Sequence, residues 1–319
     1  MAENTEGIMT IRGSHITGWG TALPDQVVTN ADFEARLDTS DTWITERTGI
    51  KERRFGGTTA SLAAEAGKMA LESAGLLPSD VELLILSTTT PDLTTPATSS
   101  IVQNMLGTRG GAFDLNAACA GFVYAMVVAG GMVKMGANRV LVIGSDTLSK
   151  ITDQNDRSTA VLFGDGAGAI VVELDSTEDK ILSYDLGVDG SAVPILYCNH
   201  GGYMTMEGRE VFKKAVRVMV ESSRNVLESA KLTTDDIALV VPHQANLRII
   251  EAANQRLGIP MEKTAIVLDK TGNTSSASIP LALADAAEKG RLKEGDNVLF
   301  CGFGAGMTWS SAVVRWSKS

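Results

Sequence analysis

The sequence predicts a layered α/β protein built from two similar halves, and three observations carry that prediction. Short β-branched runs alternate with Ala-rich amphipathic runs along the whole chain. The strand-like runs are apolar throughout rather than alternating, as strands covered on both faces are. The chain also repeats itself. Leu71-Glu72-Ser73-Ala74-Gly75-Leu76-Leu77-Pro78-Ser79-Asp80-Val81 resembles Leu227-Glu228-Ser229-Ala230-Lys231-Leu232-Thr233-Thr234-Asp235-Asp236-Ile237, at an offset of 156 residues.

In order along the chain, helical spacing marks 61–73, 96–106, 122–135, 211–230, 249–257 and 279–288. Strand-like runs are Leu83-Leu84-Ile85-Leu86, Val140-Leu141-Val142-Ile143, Ala169-Ile170-Val171-Val172, Leu239-Val240-Val241 and Val298-Leu299-Phe300. The offset divides the chain into halves at 11–174 and 175–319, after a flexible N-terminal stretch, 1–10. It maps the loop after Leu86 onto the loop holding His243, and Cys119 into Gly272-Asn273-Thr274-Ser275-Ser276. With a small slip it also maps Val140-Leu141-Val142-Ile143-Gly144 onto Val298-Leu299-Phe300-Cys301-Gly302. Two such halves pack about a pseudo-twofold axis, and loops at matching strand ends converge there, where ligands of open α/β sheets bind.

Bulk properties bound the function. The 319 residues are 44% hydrophobic and 21% charged, a globular composition. A formal net charge of −10 disfavours a nucleic-acid partner, whose phosphates need a basic surface. Cys119, Cys198 and Cys301 are spaced neither as a disulfide framework nor as a zinc site, which points to a reducing cytoplasm. The opening Met1-Ala2-Glu3-Asn4-Thr5-Glu6-Gly7 has no apolar core and does not read as a signal peptide. The longest apolar stretch, 120–133, reads as too short and Gly-rich to span a bilayer. Phe163-Gly164-Asp165-Gly166-Ala167-Gly168 is not a dinucleotide fingerprint. Its third glycine comes one residue early and an apolar strand follows, so it reads as a close-packed turn.

The chemistry centres on Phe113-Asp114-Leu115-Asn116-Ala117-Ala118-Cys119-Ala120-Gly121-Phe122. This layout puts a thiol at a tight strand-to-helix junction, where unpaired backbone N–H groups favour the thiolate and small neighbours admit a substrate. Of three histidines, His15 lies near the start and His200 in a surface-loop pattern. His243 follows a buried strand in Pro242-His243-Gln244-Ala245-Asn246. The duplication brings His243 and Asn273 to the edge that Cys119 occupies in the first half. Cys301-Gly302-Phe303-Gly304-Ala305-Gly306-Met307 supplies glycines after a strand. A backbone N–H there, Ala305 being favoured and its neighbours remaining open, completes an oxyanion hole with the N–H of Cys119.

Those four motifs, with Asp38-Thr39-Ser40-Asp41-Thr42-Trp43 and the 163–169 glycine run, resemble β-ketoacyl-[acyl carrier protein] synthase III over nearly the whole chain. The resemblance implies a thiolase-like five-layered αβαβα fold and an acyltransferase of bacterial fatty acid synthesis. It implies Cys119 as nucleophile for an acyl-CoA primer, and His243 and Asn273 as donors to the carbonyl of malonyl-[acyl carrier protein] during decarboxylation. It assigns CoA contacts to Thr39, Trp43, Arg157, Asn246 and Arg248. Thr95 becomes a small residue at the acyl tunnel, admitting primers longer than acetyl. No metal or cofactor is implied, and a cytoplasmic homodimer is. Lys213, Lys214 and Arg217 on one helix, with Arg248 and Arg256 on another, form the basic cluster expected to dock the acidic carrier protein. The 196–203 segment is short for the family. Two competing readings are a relative of secondary metabolism and a non-catalytic member; an intact Cys119 disfavours the latter.

Overall fold

The computed structural model describes residues 11–317; the stretch 1–10 expected to be flexible lies outside them. Two mixed sheets form the frame. The first runs in the order Gly13–Ala22, Asp165–Asp175, Arg139–Thr147, Leu83–Ser87, Gly111–Leu115. Leu83–Ser87 pairs parallel with both of its neighbours, and the other pairings are antiparallel. The second sheet runs Ile237–Pro242, Asn297–Gly304, Thr308–Arg315, Ile181–Val188, with one parallel pair at its start. At its fifth position stands only a parallel bridge between Val240 and Thr264.

Between the sheets lie two buried helices, Gly121–Met135 and Ser278–Glu288. One apolar core joins Phe122 and Met126 to Ile85 and Val142 of the first sheet and to Leu239 and Phe300 of the second. This is why both sheets' strands are apolar throughout: each is covered on two faces. Thr59–Ala74 and Thr98–Leu106 cover the outside of the first sheet, Gly208–Ala230 and Leu247–Leu257 the outside of the second. The result is five layers, αβαβα.

Ala118–Met135 is long and apolar enough to cross a membrane, with a mean hydropathy of 1.6 over 18 residues, contrary to the sequence reading. Its place between two sheets explains the composition: Phe122, Val123, Met126, Ala129 and Val133 are buried in the central core, while the last turn, with Lys134 and Met135, is exposed. The 163–168 run also differs in part. Asp165–Asp175 is strand, and a Cβ at Gly168 would lie 2.8 Å from Pro280. The glycines serve strand-to-helix packing rather than a turn.

The duplication is visible in the backbone, with a drifting offset. The 3-10 turn Pro78–Asp80 corresponds to Thr234–Asp236, and Ala118–Ala120 to Ser275–Ala277. The twin of Cys119 is therefore Ser276, one residue beyond the position that the 156-residue offset picks out.

Candidate active site

Cys119 is the middle residue of the Ala118–Ala120 turn, between the strand Gly111–Leu115 and the central helix Gly121–Met135. Ala118 has φ 49°, a left-handed conformation that costs a non-glycine residue about 1–2 kcal/mol. The Asn116 side chain holds it there, its Oδ1 accepting from the Ala118 N–H at 3.1 Å. The second half repeats the device. Ser275 has φ 52°, and the Asn273 Oδ1 accepts from its N–H at 2.9 Å. That bond orients the Asn273 amide: its oxygen is occupied, so its NH2 is the group left for the cavity. The first half clamps the Asn273 backbone as well. Its N–H donates to Leu162 O, and its O accepts from Gly164 N, each at 2.9 Å.

His243 follows the strand Ile237–Pro242 and is 1% exposed. Its backbone N–H donates to Cys301 O at 2.8 Å, and its ring meets the edge of Phe303 with centroids 5.3 Å apart. The ring Nδ1 lies 2.6 Å from Ser278 Oγ. Burial pushes its pKa down to about 3, so the ring is neutral. Burial likewise pushes the Cys119 thiol up to about 12; Ser275 opposes this and the Asp146 carboxylate adds to it. The sequence reading expected the helix start to lower this pKa. Desolvation outweighs that field, even though the residue is half-buried and opens to the cavity.

Cys119, His243, Asn273, Ser275 and Ala305 line one cavity of about 1100 Å³. The short hairpin of Leu196–Cys198 and Met204–Met206 forms another wall. A Cβ placed on Gly304 would stand 2.5 Å from the Cys119 backbone N, so glycine keeps the space before that N–H open. Asp146 is a residue that motif reading missed. It is fully buried at the end of Arg139–Thr147. Its Oδ1 accepts from the Thr89 N–H at 2.7 Å and from the hydroxyls of Thr88, Thr89 and Thr90 at 3.1, 2.9 and 3.1 Å. Its Oδ2 accepts from the N–H and the hydroxyl of Ser276 at 3.1 and 2.8 Å. One carboxylate thus ties the second half's turn to the loop that walls the cavity.

The residues assigned to CoA form a connected cluster. Arg157 and Arg47 place their guanidinium carbons 5.0 and 4.8 Å from the Trp43 ring centre. Arg157 donates to Asp38 O at 2.7 Å, beside Thr39, whose buried hydroxyl has no hydrogen-bond partner among the described residues. Asn246 caps the helix Leu247–Leu257 through the Arg248 N–H at 2.9 Å. Its Nδ2 donates to Arg47 O at 3.0 Å, linking the Trp43 cluster to the cavity, which Asn246 lines. The basic cluster is divided. Lys213 is paired with Glu210, Lys214 with Asp189 and Arg217 with Glu221, at 2.7, 2.8 and 4.0 Å. Arg248 and Arg256 are exposed and have no ion-pair partner among the described residues; the Arg248 guanidinium lies 5.9 Å from the Phe212 ring, at the cavity wall. Thr95 is exposed and does not line this cavity, although Thr94 does.

Residues 113–190 match the family model described as 3-oxoacyl-[acyl-carrier-protein] synthase III, and residues 227–316 match the model for its C-terminal part. The β-ketoacyl-[acyl-carrier-protein] synthase III of Listeria innocua is 49% identical over 308 residues, covering 95% of this chain and 99% of the relative. The chain belongs to the 3-oxoacyl-[acyl-carrier-protein] synthase III family. The crystal structure of the synthase III from Aquifex aeolicus superposes with a TM-score of 0.93 at 47% identity, over 95% of this chain and 100% of that one. The priming β-ketosynthase of the R1128 polyketide pathway gives 0.92 at 35% identity, over 96% and 97%. The synthase III fold is thus the five-layered arrangement described above. The first matched stretch carries Cys119, and the second carries His243 and Asn273.

Proposed function

We propose that this chain performs the decarboxylative condensation that starts fatty acid synthesis, joining an acyl-CoA primer to malonyl-[acyl carrier protein]. The observation that carries the reading is the convergence of one thiol and two neutral donors on one cavity. Cys119 Sγ attacks the primer thioester; the S–C bond to the enzyme forms, the bond to CoA breaks, and CoA leaves with the thiol proton. The N–H groups of Cys119 and Ala305 hold the oxyanion. Malonyl-[acyl carrier protein] then enters. As its C–C bond to the carboxylate breaks and CO2 departs, the electron pair is delocalised onto the thioester oxygen. His243 and the Asn273 NH2 donate to that oxygen. The carbanion attacks the acyl carbon on Cys119, expelling the sulfur and releasing 3-ketoacyl-[acyl carrier protein]. A neutral His suits this task, since it needs a donor and not a proton-abstracting base.

The Trp43–Arg157 pair is the proposed adenine site, with Arg248 and Asn246 leading pantetheine inward. Arg248 and Arg256 are proposed to centre carrier-protein docking. The strand Gly111–Leu115 has a neighbour on one side only and half-buried Phe113 and Leu115, with exposed Leu93 and Met105 in the same half. We infer a homodimer across this edge, which places Thr95 beside the partner's site. The 35% identity to a priming ketosynthase supports, as second reading, a starter role in secondary metabolism. Intact-mass spectrometry after mixing with acyl-CoA tests the first step, and release of CO2 and ketoacyl product from malonyl-[acyl carrier protein] tests the second. No Cys119-dependent adduct means a binding protein; an adduct without condensation means an acyltransferase of another kind.

A further inference from the structure

His243 must present a proton, not a lone pair, to the thioester oxygen, and the structure shows what sets that choice. Ser278 is the first residue of the central helix Ser278–Glu288 and is fully buried. Its Oγ accepts from the Gln244 backbone N–H at 3.2 Å and lies 2.6 Å from His243 Nδ1. An N–H can only donate, so this contact uses an Oγ lone pair and leaves the hydroxyl proton to be placed. The acceptor found for it is Nδ1. A ring nitrogen that accepts there carries no proton, so in the neutral ring the proton sits on Nε2. A carbonyl at the same place would impose the opposite tautomer, with Nδ1–H donating and a bare Nε2 unable to donate to an enolate oxygen. Phe303 packs against the ring in a T-shaped contact, with centroids 5.3 Å apart.

We propose that Ser278 is a positioning residue that fixes His243 as the Nε2–H tautomer, and thereby as a hydrogen-bond donor in condensation. The proposal rests on the condensation reading for its kinetic part and not for its structural part. Ser278 touches neither thiol nor substrate; it acts through His243 alone. Its removal should therefore separate the two half-reactions. Loading of Cys119 draws on the backbone N–H groups, while decarboxylation draws on the His243 donor.

The chain has three histidines, so 15N-labelled imidazole resonances can be assigned with His15→Gln and His200→Gln variants. Nitrogen–proton correlation on the intact protein should show His243 with its proton on Nε2. In Ser278→Ala the ring should shift toward a mixture of tautomers. Acyl-adduct formation should stay within about threefold, while CO2 release from malonyl-[acyl carrier protein] falls roughly 5- to 30-fold, the loss of one oriented hydrogen bond. Ser278→Thr, which keeps the hydroxyl, should restore the tautomer and most of the rate. A proton on Nδ1 in the unmodified protein overturns the proposal. So does a Ser278→Ala variant that slows both half-reactions equally, or that leaves the tautomer unchanged. If the protein forms no adduct at all, the condensation reading fails while the tautomer measurement still decides the role of Ser278.

Discussion

Buried His243 and half-buried Cys119 have their protonation displaced in opposite directions, and both displacements leave them neutral near pH 7. The unfolded His243 ring takes a proton below its ordinary 6.5, whereas the folded ring resists to about 3. Its contribution to stability is complete above 6.5 and is lost as pH falls toward 3. The unfolded thiol of Cys119 ionises from about 9, the folded one near 12, so that contribution is complete below 9 and is lost as pH climbs. Activity should carry no His243 inflection near 6.5. A pH profile of CO2 release should be flat from about 5.5 to 8.5, and a half-maximal point near 6.5 that disappears in His243→Gln would contradict the neutral-donor role. Gly304 offers a second test at this scale. A Cβ 2.5 Å from a backbone nitrogen cannot be relieved by a rotamer change. Gly304→Ala should lower acyl-adduct formation about 10²- to 10³-fold, the range for losing an oxyanion donor, while the thermal midpoint shifts by only a few degrees. The convergence of Cys119, His243 and Asn273 on one cavity was legible because each sits in a run of small or polar residues, after a strand for Cys119 and His243 and after the short helix Leu268–Thr271 for Asn273. Asp146 was not, since nothing local distinguishes a buried carboxylate from an exposed one.

At the scale of elements, the strands read from sequence are those with unbroken apolar runs. In the two large sheets, the strands missed are Gly13–Ala22, Ile181–Val188 and Thr308–Arg315, whose runs are interrupted by Gly, Ser or Thr. The reason is packing. At Gly18 and Gly20 a Cβ would come within 2.3 Å of the carbonyls of Ala70 and Ala66, so the helix Thr59–Ala74 lies directly on bare backbone. The helix expected from 96 begins at Thr98, because the Asp114 carboxylate accepts from the Thr98 and Ser99 N–H groups at 2.8 and 2.7 Å. That cap comes from a distant strand, which local spacing does not reveal. The joint between the Ser275–Ala277 turn and the Thr88–Thr90 loop rests on Asp146, and Asp146→Asn should cost about 2–4 kcal/mol. The new NH2 faces either the two Ser276 donors or the threonine donors, and no rotation satisfies both sets. Urea denaturation measures this; a loss under 1 kcal/mol would mean that the joint is held elsewhere.

For the whole molecule, the proposed docking of a carrier protein must take place on a chain of net charge −10. Lys213, Lys214 and Arg217 are paired with acidic neighbours, which leaves Arg248 and Arg256 as the members of that cluster without an ion pair among the described residues. Arg256→Ala should raise the carrier-protein KM about 3- to 10-fold and spare acyl-CoA loading, while Lys214→Ala changes it less than twofold. Equal effects in steady-state assays at low salt would return the docking site to the longer helix. The two-half architecture was legible from one eleven-residue match, but its register was not, because the offset drifts by a residue before it reaches the centre. That register has a consequence of its own. The duplication sets a backbone N–H at the middle of each of two matching turns, at Cys119 and at Ser276. In the second half the Ser276 N–H and hydroxyl are taken up by Asp146, while at the matching Cys119 N–H stands Gly304, which has no side chain to fill that space. The two turns are therefore not interchangeable, and the filled one is a template. A flat carboxylate set on a backbone N–H and a neighbouring hydroxyl is the shape that a tight inhibitor of the Cys119 side would imitate.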